Sequence, residues 1–321
     1  MTLIALKAFN SPGSKPVPQP TRNGLLAVGL FAFALFPGCA SSQPKPDAVP
    51  LEIRTADYDL IIPARQKALL ILFPCFSCDA ADTRSESKIT DEAVANGIAV
   101  MLMNFNRHLM LNEAEQQGLI DTIAQAIRAN GLHAENTFIG GFSSGGNVSV
   151  LLAKALVHGQ RTIQLKGVFA VDSPLDLSHL YASSQRRVER PSFPDYKGEA
   201  RMVVALLNDA LGDPATHPDA YEARSPLYRT PKSLLPLKDL PIRFYTEPDT
   251  AWWRLNRGDS YEDMNAYSLE QLHAQLVAAG NDQAELIRTQ DRGFQHGHRH
   301  PHAWSIVDER ELVRWIGRLR E

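Results

Sequence analysis

The sequence has no large excess of charge of either sign. Its 33 Lys and Arg residues nearly balance its 36 Asp and Glu residues, giving a formal net charge of −3. This balance supplies neither a basic field that would bind nucleic acid nor an acidic tail. Beyond residue 50 the sequence also lacks internal repeats and long low-complexity tracts. An apolar share of 44% and a charged share of 21% are ordinary for a globular domain with a core, so function must be sought in particular sites.

The one long apolar run, "LLAVGLFAFALF" at 25–36, is too short for a comfortable membrane span. Basic residues precede it and small residues follow it, a pattern typical of a secretory signal. The adjoining Gly38-Cys39 resembles the end of a bacterial lipobox, in which the cysteine is lipidated and becomes the first mature residue. We therefore predict a lipoprotein-type signal peptide over 1–38 and lipidation of Cys39.

On this interpretation, residues 39–50 form a polar, Pro-rich tether between a membrane and a domain over 51–321. The protein would be exported and anchored by lipid on the periplasmic or cell-surface face. Two alternatives stay open: a plain signal peptide, which gives a soluble secreted or periplasmic protein, and a single uncleaved anchor helix.

Cysteine is scarce, with three residues in the whole chain. Besides Cys39, the chain has Cys75 and Cys78 in "PCFSC". An exported CxxC can form a tight disulfide, act as a redox pair or supply two buried thiols. A thioredoxin-like motif would open a helix here, whereas "DAADTRSES" is typical of a loop. The sequence favours structural thiols or a disulfide.

Short apolar runs alternate with longer amphipathic runs from residue 68 onward. The predicted strands are 68–73, 97–105, 137–142, 166–172, 241–246 and 284–289, and the predicted helices are 112–130, 147–159, 268–280 and 308–319. This alternation predicts an α/β fold with a mostly parallel central sheet and helices on both faces. The segment 51–65 predicts one or two edge strands. The Pro-rich, polar segment 181–240 breaks the pattern and predicts an insertion, of the kind that often forms a lid.

The stretch "TFIGGFSSGGNVSV" at 137–150 contains G-x-S-x-G centred on Ser143, between a predicted strand and a predicted helix. At such a sharp turn the residues two before and two after the serine would clash unless they lacked a Cβ, and Gly141 and Gly145 meet that need. The serine oxygen then projects at the helix N-terminus, whose dipole favours an oxyanion. The neighbouring Ser144 lacks this glycine pattern and would offer its backbone N–H instead.

In this context the chain resembles the α/β-hydrolase superfamily, from about residue 51 to residue 321. The resemblance implies a nucleophile first, then an acid after a later strand, then a histidine after the last strand. Asp249, in "EPDTAWW" after the predicted strand 241–246, is the expected acid, with Glu247 as the alternate. Some relatives use an acid after the preceding strand, where Asp172 lies, but Ser173-Pro174 favours a helix N-cap there.

The resemblance also implies a histidine in "GFQHGHRHPHAWSIVDE", which holds four histidines at alternate positions. His302 is the expected base because His302-Ala303-Trp304 fits the form common in the family, and His300 is the alternate. Four alternate histidines also suggest a metal site on an extended strand. No Cys or paired acidic motif accompanies them, so we expect neither a metal nor an organic cofactor.

The second oxyanion donor should come from the loop "FPCFSCD", where many relatives have His-Gly. Pro74 has no N–H, so the resemblance assigns the donor to Cys75 or Phe76, beside the N–H of Ser144. The segment 211–229 resembles the esterase and prolyl-oligopeptidase-like branches, in which a G-x-P turn leads to a Tyr-containing helix and Ser-Pro. The matching residues are Gly212, Pro214, Tyr221, Ser225 and Pro226.

Together these features predict a serine hydrolase that cleaves an ester, thioester or amide through Ser143, His302 and Asp249 and an acyl-enzyme. The expected partners are a small-molecule ester or short peptide and, through the anchor, a membrane; the sequence does not fix the oligomeric state. One alternative is an exported peptidase, in which Arg186, Arg187 and Arg190 would bind a peptide carboxylate. Another is an inactive binding or scaffold lipoprotein of the same fold.

Overall fold

The computed structural model describes residues 49–159, 163–193, 196–228 and 230–320. The predicted signal peptide, Cys39 and most of the predicted tether lie outside these residues. No helix within the described ranges is long and apolar enough to cross a membrane.

Eight strands form one sheet in the order β1-β2-β4-β3-β5-β6-β7-β8. They are β1 (Leu51–Arg54), β2 (Tyr58–Ile62), β3 (Ala68–Phe73), β4 (Ile98–Met103), β5 (Thr137–Phe142), β6 (Leu165–Val171), β7 (Ile242–Thr246) and β8 (Ala284–Arg288). The first two form an antiparallel hairpin whose second strand pairs antiparallel with β4, and all later neighbours pair in parallel. The predicted α/β fold with a mostly parallel sheet is confirmed, and so are the edge strands within 51–65.

Both faces of the sheet are covered, which explains why its central strands are continuous apolar runs. In β3, Leu70 and Leu72 pack in one core cluster, whereas Leu69 and Ile71 pack in another. Alternate side chains of a strand point to opposite faces, so each face needs its own apolar cover. The first cluster lies under α1 (Ala80–Glu86), α2 (Ile89–Ala95) and α11 (Glu309–Leu319), and the second under α3 (Glu113–Asn130) and α4 (Ser144–Gly159).

The helix α3 begins and ends where its sequence dictates. The Asn112 side chain accepts a hydrogen bond from the Glu115 N–H, and Glu115 returns one to the Asn112 N–H, which forms a capping box. At the other end Gly131 adopts a left-handed φ of 60°, a conformation that glycine reaches at little cost. These signals account for a boundary that the sequence predicts to within a residue.

The connection between β6 and β7 is helical. It contains α5 (Leu177–Glu189), α6 (Lys197–Leu211), α7 (Pro218–Arg224) and α8 (Pro231–Leu234). After β7 come α9 (Thr250–Arg257) and α10 (Asn265–Ala278), and after β8 a small hairpin of β9 (Phe294–Gln295) and β10 (His298–Arg299) precedes α11. Because the strands that carry the predicted site residues run in parallel, their carboxyl ends meet at one edge of the sheet.

Candidate active site

Ser143 lies at a sharp turn between β5 and α4. Its φ of 55° falls in the left-handed region, which is uncommon for a residue other than glycine and concentrates at functional sites. The Ser143 N–H donates to the Val171 carbonyl at 2.9 Å, so the end of β6 supports the turn. Ser143 is partly exposed, whereas Ser144 is 2% exposed. Of the two serines, Ser143 is therefore the one whose hydroxyl is open to attack a ligand.

The glycines around Ser143 are required by close backbone approach. A Cβ on Gly141 would overlap the backbone of Gly145, and a Cβ on Gly145 would overlap the carbonyl oxygens of Phe73 and Pro74. The expectation that glycines two residues before and after Ser143 clear space for the turn is confirmed. The close approach of Gly145 to Phe73 and Pro74 also packs the turn against the start of the loop that follows β3.

His302 is held by Asp172, the residue directly after β6. The His302 Nδ1 lies 2.6 Å from Asp172 Oδ2. A carboxylate accepts hydrogen bonds, so this contact assigns the proton to Nδ1 and leaves Nε2 free to accept a proton from a hydroxyl. Ser143, Asp172 and His302 all line one cavity of about 400 Å³, which we call the serine cavity.

Asp172 accepts two further hydrogen bonds, one on its carboxylate and one on its backbone carbonyl. The Thr246 hydroxyl donates to the second carboxylate oxygen at 3.0 Å, and the Asn265 side chain donates to the Asp172 carbonyl at 2.8 Å. Asp172 has a φ of 41°, a conformation that Asp tolerates better than most residues. Sequence reasoning missed Thr246 and Asn265, because neither belongs to a motif and both reach Asp172 from distant parts of the chain.

The expectation that Asp249 orients His302 is wrong in this structure, and the alternate Glu247 does not do so either. Asp249 caps α9 by accepting from the Trp252 N–H at 2.9 Å, and its other oxygen lies 2.7 Å from the Arg299 guanidinium. Glu247 is buried and lies 2.6 Å from the same guanidinium. The expectation that Asp172 is a helix N-cap is also wrong, because Asp176 caps α5. Arg299 occupies both carboxylates after β7 and leaves His302 to Asp172.

His300, the alternate base, has its ring centre 6.3 Å from that of His302 and is not among the residues that line the serine cavity. Its Nδ1 lies 2.8 Å from the His302 carbonyl oxygen, to which only a protonated Nδ1 can donate. Its Nε2 then accepts from Arg257 at 3.4 Å. Burial, and then the neighbouring His302 and Arg257, lower the pKa of His300 to about 4. A neutral His300 thus fixes the backbone of the residue after next.

The four alternate histidines differ in exposure and in their partners. The His296 side chain is 75% exposed and lies 3.4 Å from Glu86, while His298 is exposed in β10. Within the described ranges, no group of three or more His, Cys, Asp or Glu residues is arranged to hold a metal ion.

Of the predicted oxyanion donors, Ser144 and Phe76 line the serine cavity. Ser144 is the first residue of α4, a position whose N–H has no acceptor within the helix. Phe76 lines the serine cavity, and Cys75 and Cys78 form a disulfide, one of the arrangements that the sequence favours. The Phe76 carbonyl accepts from the Arg107 N–H at 2.8 Å. The disulfide and this hydrogen bond both restrain the loop that would supply the second donor.

The arginines at the end of α5 are already paired. Arg186 lies 2.6 Å from Asp263, Arg187 lies 3.1 Å from Asp259, and Arg190 contacts both carboxylates at 2.8 and 3.0 Å. Both aspartates are buried. The structure therefore places these arginines in an ion-pair network and not free to bind a peptide carboxylate.

The β6–β7 connection and α9 both contribute residues to the lining of the serine cavity. Gly198, Met202 and Val203 of α6 line it, as does Trp253 of α9. The remaining described residues that line it are Ser77, Leu109, Ser144, Pro174, Leu180, Arg187, Glu199, Glu247, Pro248, Arg257, Met264, Asn265 and Ala266. A mixed apolar and charged lining of this size suits a small organic molecule.

No protein-family model matches the chain, and no curated protein matches it. Solved structures do. The chain is similar to carboxyl esterase 2 of the fungus Tuber melanosporum, with a TM-score of 0.54, 16% identity and coverage of 87% of this chain and 88% of the other. It is similar to MPT51 of Mycobacterium tuberculosis, with a TM-score of 0.54, 11% identity and coverage of 86% and 98%.

A third similar structure is an inhibited esterase B from Lactobacillus rhamnosis, with a TM-score of 0.53, 14% identity and coverage of 87% and 90%. Identities this low carry the fold and leave the activity to be argued from the site. The strand order, the serine turn directly after β5 and these likenesses lead to one conclusion: the chain has the α/β-hydrolase fold.

Proposed function

We propose that this protein is a serine hydrolase that cleaves a small carboxylic ester through Ser143, His302 and Asp172. The observation that carries the proposal is the 2.6 Å contact between His302 Nδ1 and Asp172, in a cavity that also holds Ser143. Two of the similar structures are esterases, one from a fungus and one from a bacterium, and this agrees with ester hydrolysis.

The chemistry follows from the tautomer. Nε2 of His302 takes the Ser143 hydroxyl proton as the Ser143 oxygen attacks the ester carbonyl, and Asp172 stabilises the imidazolium that forms. The N–H of Ser144 and an N–H of the loop at Cys75 and Phe76 hold the developing oxyanion. The imidazolium then protonates the leaving alcohol. A water molecule, deprotonated by His302, releases the acid from the acyl-enzyme and restores Ser143.

The test is covalent labelling of residues 45–321 with a fluorophosphonate probe, followed by mass spectrometry of the modified peptide. We expect labelling on Ser143 that is lost in Ser143→Ala and strongly reduced in His302→Ala. An inactive binding protein of this fold would stay unlabelled while folded, and that result would overturn the proposal. Turnover of p-nitrophenyl esters, with a p-nitroanilide of the same acyl group as comparison, then separates an esterase from a peptidase.

We also propose export and lipid anchoring at Cys39. The support is the basic, apolar and Gly38-Cys39 pattern of the first 39 residues, together with the Cys75–Cys78 disulfide, since disulfides persist in oxidising compartments. In a bacterial host fed an alkyne fatty acid, the full chain should take up the label and Cys39→Ser should not. An unlabelled full chain in the soluble fraction would favour the plain signal peptide.

A further inference from the structure

The serine cavity has a wall rich in arginine, formed by the end of α9 and by α5. Arg257 and Arg187 line the cavity. Arg186 lies beside Arg187 on α5, and Arg190 directly follows that helix. Against these four guanidinium groups stand the buried Asp259 and Asp263, which Arg186, Arg187 and Arg190 occupy. Because both aspartates already pair with other arginines, neither is available to pair with Arg257.

Arg257 differs from the other three in its partners. Its one ion pair among the described residues is with Glu199, at 3.5 Å, and the Glu199 side chain is 65% exposed. Its Nε is buried and has no hydrogen-bond partner, while its side chain is only 18% exposed. A guanidinium withdrawn from water gains most from a close carboxylate, and among the residues that the structure describes the contact with Glu199 at 3.5 Å is the nearest such pairing.

Two aromatic rings hold Arg257 in place. Its guanidinium carbon lies 4.4 Å from the centre of the Tyr196 ring and 5.0 Å from that of the Trp253 ring. Such stacking fixes the plane of the group and leaves its edges available for hydrogen bonds. One terminal nitrogen lies 3.4 Å from Nε2 of His300. Arg257 is thus a positioned cation in the wall of the cavity that contains Ser143.

We propose that Arg257 binds a carboxylate carried by the substrate, so that the preferred substrates are esters with an anionic group on the acyl or the alcohol side. This inference rests on the proposed ester hydrolysis and narrows its substrate class. A carboxylate that replaces the long, exposed contact with Glu199 gives Arg257 a charge-assisted hydrogen bond away from bulk water. The cavity of about 400 Å³ limits such substrates to small molecules.

The test compares esters of equal shape with and without the charge. On the acyl side, p-nitrophenyl hemisuccinate is paired with p-nitrophenyl 4-methylpentanoate; on the alcohol side, 4-acetoxybenzoate is paired with 4-acetoxybenzamide. Uncatalysed rates are subtracted. In the wild type we expect kcat/KM for the anionic ester to exceed that for its neutral partner by about tenfold in one of the two pairs. In Arg257→Met that ratio should fall about 10- to 100-fold, and Arg257→Lys should retain part of it.

The matched control is Arg254→Met, which removes an exposed arginine of the same helix and should leave the ratio unchanged. A ratio at or below one in both pairs in the wild type would overturn the inference even if Arg257→Met does not fold. So would a ratio that Arg257→Met lowers no more than Arg254→Met does, which would assign Arg257 to packing and to positioning His300. If the wild type neither hydrolysed any of these esters nor became labelled at Ser143, the proposed function would be overturned, and this inference with it.

Discussion

Two neighbouring strands of the sheet each end in acidic residues, and their carboxylates do different things. Asp172, after β6, lies 2.6 Å from His302. Glu247 and Asp249, after β7, lie 2.6 and 2.7 Å from Arg299. One strand end thus faces a base that can move a proton, and the other faces a cation that cannot lose its proton. The first arrangement suits catalysis. The second, formed by Glu247, Asp249 and Arg299, is an ion-pair cluster.

The difference comes from one loop, the segment between β8 and α11. Arg299 and His302 are three residues apart on it, yet they reach acids on different strands. The position of an acid at a strand end therefore does not assign its role. The path of the loop assigns it, because the loop brings a base to one carboxylate and a guanidinium to the other two.

The largest effect should come from exchanging the acids for amides. Asp172→Asn should lower kcat by about 10³- to 10⁴-fold, because an amide nitrogen facing Nδ1 would favour the wrong tautomer of His302. Asp249→Asn is the matched control and should lower kcat less than about fivefold. Steady-state turnover of the p-nitrophenyl esters checks both variants. If Asp249→Asn were the more damaging change, the acid would be the one that the sequence favours.

The acids after β7 should affect the free energy of unfolding and not turnover. Glu247 is 3% exposed and accepts from the Thr289 hydroxyl and from the N–H groups of Arg292 and Gly293, besides its contact with Arg299. Glu247→Gln leaves Arg299 without one of its charge partners and should lower the free energy of unfolding by about 2–4 kcal/mol. Denaturant unfolding measures this.

Asp249→Asn again serves as the comparison. Asn caps a helix about as well as Asp, so that variant should lose about 1 kcal/mol or less. Equal losses of unfolding free energy in the two variants would show that the stability of this ion-pair cluster does not depend on the buried carboxylate of Glu247.

His300, between the two regions, should make stability depend on pH. Its folded pKa of about 4 lies below its ordinary value of about 6.5. Between these pH values the unfolded chain binds a proton at His300 that the folded chain does not. The contribution of neutral His300 to the free energy of unfolding is therefore fully present above about pH 6.5 and is lost as the pH falls toward 4. Relative to His300→Gln, the wild type should lose about 1–2 kcal/mol over this window. The measurement is denaturant unfolding of the wild type and of His300→Gln at pH 7 and at pH 5. A difference in stability between the two proteins that is the same at both pH values would contradict a neutral His300.

The smallest effects should come from the threonines that support the two kinds of acid. The Thr246 hydroxyl donates to Asp172 at 3.0 Å, and the Thr289 hydroxyl donates to Glu247 at 2.9 Å. Thr246→Val should lower kcat about 3- to 10-fold because Asp172 becomes less well oriented. Thr289→Val should leave kcat within about twofold and cost about 1 kcal/mol of stability. The same pair of measurements on both variants decides whether orientation and stability are separable here.

The sequence by itself determined the sheet, the serine turn and the identity of the glycines around it. The apolar runs at 68–73 and 137–142 correspond residue for residue to β3 and β5, and the glycine spacing around Ser143 reflects a local steric need. Local patterns of this kind are legible because propensity, periodicity and sterics act over a few residues.

Only the tertiary structure decided which acid faces His302. Asp172 and His302 are separated by 130 positions in the chain, and a hydrogen bond requires two atoms within about 3 Å at a suitable angle. Three carboxylates at adjacent strand ends were compatible with the sequence pattern. The backbone of Asp172 in the left-handed region and the reach of Arg299 to the other two made the choice. Such a choice depends on how distant segments pack, and the sequence near each acid carries no local mark of it.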